Sequence, residues 1–152
     1  MSLAQGTRLD RPWIESHIPH QGRMCLLDEV LSWDTVRISC RAGSHRLADN
    51  PLRAHGRLGA ACGVEYAAQA MAVHGAIMAH DSGTSAGAGL LTSVRNLLLR
   101  VTRLDDLDTD LIASAQRLAG DESGTLYEFT VASGGRELLS GRAGIVFAVG
   151  RS

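Results

Sequence analysis

GAACGVEYAAQAMAVHGAIMAH, residues 59–80, is the stretch whose reading decides the fold. It has no proline and consists mostly of small apolar helix formers. As a helix it rises about 1.5 Å per residue and spans about 30 Å, the width of a small domain. Apolar residues fall on nearly every face, the pattern of a helix enclosed by other structure. Glu65 interrupts the run near its start, and Gln69 follows four residues later on the same side. A buried acid is costly unless it is paired, hydrogen-bonded or opened onto a cavity. The expectation is therefore a buried helix with a carboxylate facing a pocket.

Outward from that helix the chain reads as strands. Towards the N-terminus, Met24 to Trp33 is apolar, and Thr35 to Arg41 alternates with Val36, Ile38 and Cys40 on one side. Asp34 between them marks a hairpin. Arg11 to Ser16 predicts a short helical turn that stops at Ile18-Pro19, because a residue before proline avoids the helical region. Gly43 to Gly59 has no period and predicts a long functional loop leading into the helix. On the C-terminal side DSGTSAGAG is a crossover, followed by strands at Gly89 to Val101, Leu111 to Leu118, Leu126 to Val131 and Glu137 to Val149. Gly134-Gly135 is a two-residue hairpin signal. Two strands, one long helix and four strands give an α+β layer arrangement in which one sheet curls around the helix. Pairing of sheet edges between two copies would remove an exposed edge.

The totals narrow the function. The 152 residues suit one domain, read as 11–149 behind a flexible 1–10. Net charge is −1, every basic side chain is arginine, and the arginines are dispersed, so nucleic acid is a poor partner. The start, MSLAQGTRLDRPW, has no apolar core of a secretory signal. A membrane span over Leu58 to Ala79 is disfavoured by Glu65, Gln69 and His74 within it. Cys25, Cys40 and Cys62 form no CxxC pair and read as reduced thiols, consistent with a cytoplasmic protein. No HxH or HExxH spacing suggests a metal site, and no cofactor is called for.

Two segments carry a resemblance. Ile18-Pro19-His20-Gln21-Gly22-Arg23-Met24-Cys25-Leu26-Leu27-Asp28 and Gly63-Val64-Glu65-Tyr66-Ala67-Ala68-Gln69 are similar to parts of the hot-dog-fold (3R)-hydroxyacyl-acyl-carrier-protein dehydratases. With the element order, the likeness covers about residues 14–149. It implies a hot-dog fold, in which a long antiparallel sheet wraps one helix. It implies syn removal of water from a 3-hydroxyacyl thioester, carried by acyl carrier protein or coenzyme A. In that chemistry a histidine of one subunit takes the C2 proton, and a helix carboxylate of the other assists departure of the C3 hydroxyl. Backbone amides at the helix start polarise the carbonyl.

Carried onto this sequence, the resemblance makes Glu65 the acid and Gln69 a substrate-side neighbour. The amides of Gly59, Ala60 and Ala61 become the oxyanion donors. Arg53 and Arg57 become candidates for the phosphopantetheine phosphate. The sequence departs from the dehydratases at the histidine. Their Gly-His-Phe-Pro loop lies about fourteen residues before the carboxylate, and that position here is Pro51. His55 and His20 are then the candidate bases. The departure points to a divergent branch of the family, linked in part to aryl-polyene lipids. Two rival functions follow, an acyl thioesterase and a non-catalytic acyl-binding subunit. The expected assembly is a homodimer or larger homo-oligomer, or a hot-dog heterodimer.

Overall fold

The computed structural model describes residues 8–83, 89–121 and 124–147. One sheet of seven antiparallel strands wraps one long helix, in the hot-dog arrangement. The strands are β1 (Leu9–Asp10), β2 (Glu29–Trp33), β3 (Arg37–Ala42), β4 (Gly89–Leu99), β5 (Leu111–Gly120), β6 (Thr125–Ser133) and β7 (Arg136–Phe147), in spatial order β1-β2-β3-β5-β6-β7-β4. Helix α1 is Arg11–His17, and the central helix α2 is Gly63–Asp81, entered through a 3-10 turn at Ala60–Cys62. No helix of the described residues is long and apolar enough to cross a membrane.

Local chemistry explains the boundaries. Asp10 caps α1 by accepting from Trp13 N, with proline in the first turn, and the helix stops before Pro19. At the β2–β3 hairpin, Asp34 Oδ1 accepts from the amides of Val36 and Arg37, both at 2.7 Å. Gly134 and Gly135 carry φ of +58° and +79°, the left-handed pair that a two-residue hairpin needs. The expected strand from Met24 is shorter than its apolar run, because Gly22–Met24 is a 3-10 turn and pairing begins only at Glu29. Leu9, expected in a frayed start, is fully buried and pairs with Val30, whereas residues 1–7 lie outside the described residues. Most of the expected crossover, 84–88, lies outside them too.

The sheet's concave face is built to receive α2 closely. Cys40, Ala113, Val131 and Leu139 align across β3, β5, β6 and β7 in one row, and Ile38, Ala115, Phe129 and Gly141 in the next. Small residues in both layers, Ala113 and Ala115 against Ala67 and Ala70, let backbone approach backbone. A Cβ at Gly141 would stand 2.9 Å from Phe129 Cζ and 3.2 Å from Arg95 O, so glycine there makes room for the ring. Met71, Ile77, Tyr127 and Phe129 fill the remaining core, each contributing about 1.5–3 kcal/mol by burial.

Candidate functional site

Helix α2 organises the site through two faces. Its inner face carries polar groups whose partners are all inside the protein. Gln69, 1 % exposed, accepts from Leu26 N at 2.9 Å through Oε1 and donates to Met24 O at 2.8 Å through Nε2. Tyr66 O–H donates to Ser44 Oγ at 2.8 Å, which in turn donates to Leu26 O. Asn50 Nδ2 donates both to Tyr66 Oη and to Ser44 O. His74 donates from Nε2 to Asp34 O at 2.8 Å, which leaves Nδ1 to accept from Tyr127 O–H at 2.7 Å. Burial lowers the His74 pKa and pushes Tyr127 up to about 12, so both remain neutral.

The outer face differs in kind. Ala61, Glu65, Ala68, Ala72, Gly75 and Ala79 recur at helical spacing and are exposed or half-buried. The expectation that Glu65 is buried against a pocket is corrected here: in the single chain it is exposed, in the first turn of α2. One sheet covers only one side of a helix, and alanine and glycine on the other side leave the apolar run with an uncovered stripe. Three concavities of the single chain also lie elsewhere. One of about 480 Å³ lies where the ends of β5, β6 and β7 meet, and two of about 290 and 320 Å³ lie on either side of Thr130 on the sheet. None of the three is lined by Glu65.

The start of α2 is stitched to the loop after β4. Leu104 N donates to Leu58 O, and Ala60 N donates to Thr102 O. Asp105, buried at its carboxylate, accepts from Leu58 N at 2.9 Å and from the Arg103 guanidinium. The Arg103 hydrogen bonds hold the Asp105 carboxyl well below the usual carboxylate range. The expected oxyanion cradle over Gly59, Ala60 and Ala61 is thereby narrowed, because Ala60 N–H is committed to Thr102 and Cys62 N–H to Gly59. Cys62 is half-buried with its thiol against Leu52 O, and desolvation raises its pKa, so it remains a thiol.

Of the arginines, Arg53 is largely spent on its own loop. It donates to Gly56 O and His45 O, with Asp105 at 3.9 Å. Arg57 is exposed at the foot of a small hairpin, where its amide pairs with Ala54 O. His55 occupies the tip of that hairpin with φ +53°, beside Gly56 at +72°, and is exposed. His45, in contrast, is fully buried with Nε2 on Leu107 O at 3.2 Å, and burial lowers its pKa. His20 lies in the turn that α1 and α2 hold from both sides, half-buried, with a buried Nδ1 that makes no hydrogen bond among the described residues. The roles of Gln69, Tyr66, Asn50 and His74 as internal ties follow from long-range partners that no local motif discloses.

A seven-stranded sheet wrapped on one helix, with a lone carboxylate on that helix's uncovered face, defines a hot-dog subunit. The chain belongs to the ApeP-like dehydratase family, whose model, described as ApeP dehydratase, matches residues 12–148. None of the curated proteins compared with it matches. Among solved structures it is similar to the dehydratase heterocomplex ApeI:P from Xenorhabdus doucetiae, with TM-score 0.79, 20 % identity, and coverage of 90 % of this chain and 91 % of that one. It is also similar to a mutant thioesterase from Pseudomonas aeruginosa, with TM-score 0.54, 14 % identity, and coverage of 79 % and 80 %. A hypothetical thioesterase with coenzyme A from Streptococcus pneumoniae matches with TM-score 0.55, 11 % identity, and coverage of 82 % and 88 %. At these identities the structural likenesses establish the fold.

Proposed function

We propose that this chain is a cytoplasmic subunit that dehydrates 3-hydroxyacyl thioesters on acyl carrier protein or coenzyme A, in fatty-acid or polyene synthesis. Its site is completed by a second hot-dog subunit. The observation that carries this reading is Glu65, a lone carboxylate on an otherwise apolar, small-residue helix face that a partner would cover. The sheet supports it: edge strand β4 leaves Leu90, Val94, Leu97, Leu98 and Leu99 exposed, a row that the isolated chain would not leave in water. Covering both surfaces encloses Glu65 in a water-poor space. A carboxyl so placed serves as the proton donor of the site. A base takes the C2 proton, the C2–H electron pair becomes the C2–C3 double bond, and the C3–O bond breaks as the donor's proton passes to the departing hydroxyl, which leaves as water.

The partner is either a second copy of this chain or a related hot-dog chain; a heterocomplex is what the ApeI:P likeness supports. Thiol-ester hydrolysis is the second reading, favoured by Pro51 standing where the dehydratases place their histidine. Incubation of the full chain, alone and with a hot-dog partner, with 3-hydroxybutyryl thioesters separates the readings. Enoyl-thioester absorbance supports dehydration, and release of free thiol without it replaces dehydration by hydrolysis. Neither signal in either assembly removes the enzymatic reading. Light scattering on Leu98→Lys tests the cover: loss of the dimer is expected, and an unchanged mass contradicts the β4 interface.

A further inference from the structure

The two helices come together at their C-terminal ends, and each brings a histidine there. His17 is the last residue of α1, and His80 the next to last of α2. Far apart in sequence, their ring centroids lie 6.4 Å apart with the planes at 63°. His80 stands at the opposite end of α2 from Glu65, so this pair is separate from the proposed reaction.

Each ring is held in the state that a metal ligand needs. His17 stacks on Trp13, with centroids 3.9 Å apart and planes within 9°, which fixes where the ring stands. Its Nδ1 is 2.8 Å from Trp13 O and from Ser16 Oγ, whose own proton goes to Trp13 O. Both neighbours are then acceptors, so Nδ1 carries the ring proton and Nε2 keeps its lone pair. His80 Nδ1 faces the Asp81 carboxylate at 3.7 Å, which favours the same tautomer. A carbonyl or carboxylate on one nitrogen, with the other nitrogen open, is how a histidine is prepared to coordinate a metal. The surroundings suit a cation. Both rings are exposed, and both lie in the last turn of a helix, where unpaired carbonyls carry partial negative charge.

We infer that His17 and His80 form a binding site for one divalent transition-metal ion, of the Cu2+, Ni2+ and Zn2+ class, coordinated through the two Nε2 atoms. Imidazole selects these ions over Mg2+ and Ca2+, which take oxygen ligands. Among the described residues no cluster of three or more histidine, cysteine or acidic side chains is placed to hold an ion, so water completes the shell. Asp81 acts on the ion only through His80. Two imidazoles on a tetrahedral ion, with metal–nitrogen bonds of about 2.0–2.1 Å, have centroids roughly 5 Å apart. His17 is fixed by its stack, so the half-exposed His80 makes the closing movement of ~1 Å. The bound ion ties the end of α1 to the end of α2, which links metal binding to stability.

The test titrates the full, untagged chain with NiCl2, CuCl2 and MgCl2 in a calorimeter, with melting curves and histidine ring NMR in parallel. One Ni2+ or Cu2+ per chain is expected, Cu2+ binding the tighter, with a rise in melting temperature and no response to Mg2+. The His17 and His80 ring signals are expected to broaden first as the paramagnetic ion is added. His80→Asn removes one ligand at an exposed position, and His17→Phe removes the other while keeping a ring on Trp13. Each is expected to weaken Ni2+ binding at least ~10-fold and to abolish the rise in melting temperature. Affinity within about twofold of wild type in either variant overturns the two-ligand site. A wild-type chain that binds neither ion at about 1 mM, or binds Mg2+ equally well, overturns it too. If His17→Phe fails to fold, His80→Asn and the ring signals decide.

Discussion

The two faces of α2 have opposite economies. On the inner face every polar side chain is tied to a distant part of the chain: Gln69 to Met24 and Leu26, Tyr66 to Ser44 and Asn50, His74 to Asp34 and Tyr127. On the outer face Glu65 stands among Ala61, Ala68 and Ala72, which bring little area of their own. One face holds the fold together, and the other is left for something else to cover. Residues four apart in sequence, Glu65 and Gln69, therefore belong to different problems, and substitutions at them should separate folding from function.

The largest expected effect falls on the inner face. Gln69→Leu leaves Met24 O and Leu26 N buried without partners, a cost of about 2–4 kcal/mol in urea unfolding. A loss under 0.5 kcal/mol would contradict the tie. Next is Asp105→Ala, which strands Leu58 N and Arg103 and unpins the entry to α2, for about 1–3 kcal/mol by the same measurement.

Acid should weaken the inner face further. The pKa of both His74 and His45 is lowered by burial, so below about 6.5 the unfolded chain binds protons that the folded chain refuses. Stability then falls as pH drops from near 7 towards the depressed folded values, by up to about 1.4 kcal/mol per unit for each histidine. His74→Gln is expected to flatten that slope, and an unaltered slope would remove His74 from it. The smallest effect belongs to the outer face. Ala68→Ser should change the isolated chain's stability by less than about 0.5 kcal/mol, read by the same unfolding curve.

Much of the architecture was legible in the chain. The long proline-free helix, the alternation in β3 and β6, the Asp34 turn and the Gly134-Gly135 hairpin are local patterns with local causes. The split between the faces of α2 was not. Alanine and glycine serve equally at a covered and an uncovered position, so a run rich in them shows no stripe and Glu65 reads as buried. The inner ties were hidden for another reason. Gln69 reaches back 45 residues to Met24, and His74 bonds a carbonyl 40 residues earlier, pairings that only the tertiary fold creates. His20 stood in a recognisable segment, yet its unpartnered ring nitrogen is visible only once the surrounding bonds have been assigned.

Glu65→Gln, measured for enoyl-thioester formation in the assembled protein alongside its unfolding curve, addresses the outer face most directly. The account predicts a rate at least ~100-fold lower with stability within about 0.5 kcal/mol of wild type. Full turnover in that variant would show that the exposed carboxylate takes no part in the chemistry.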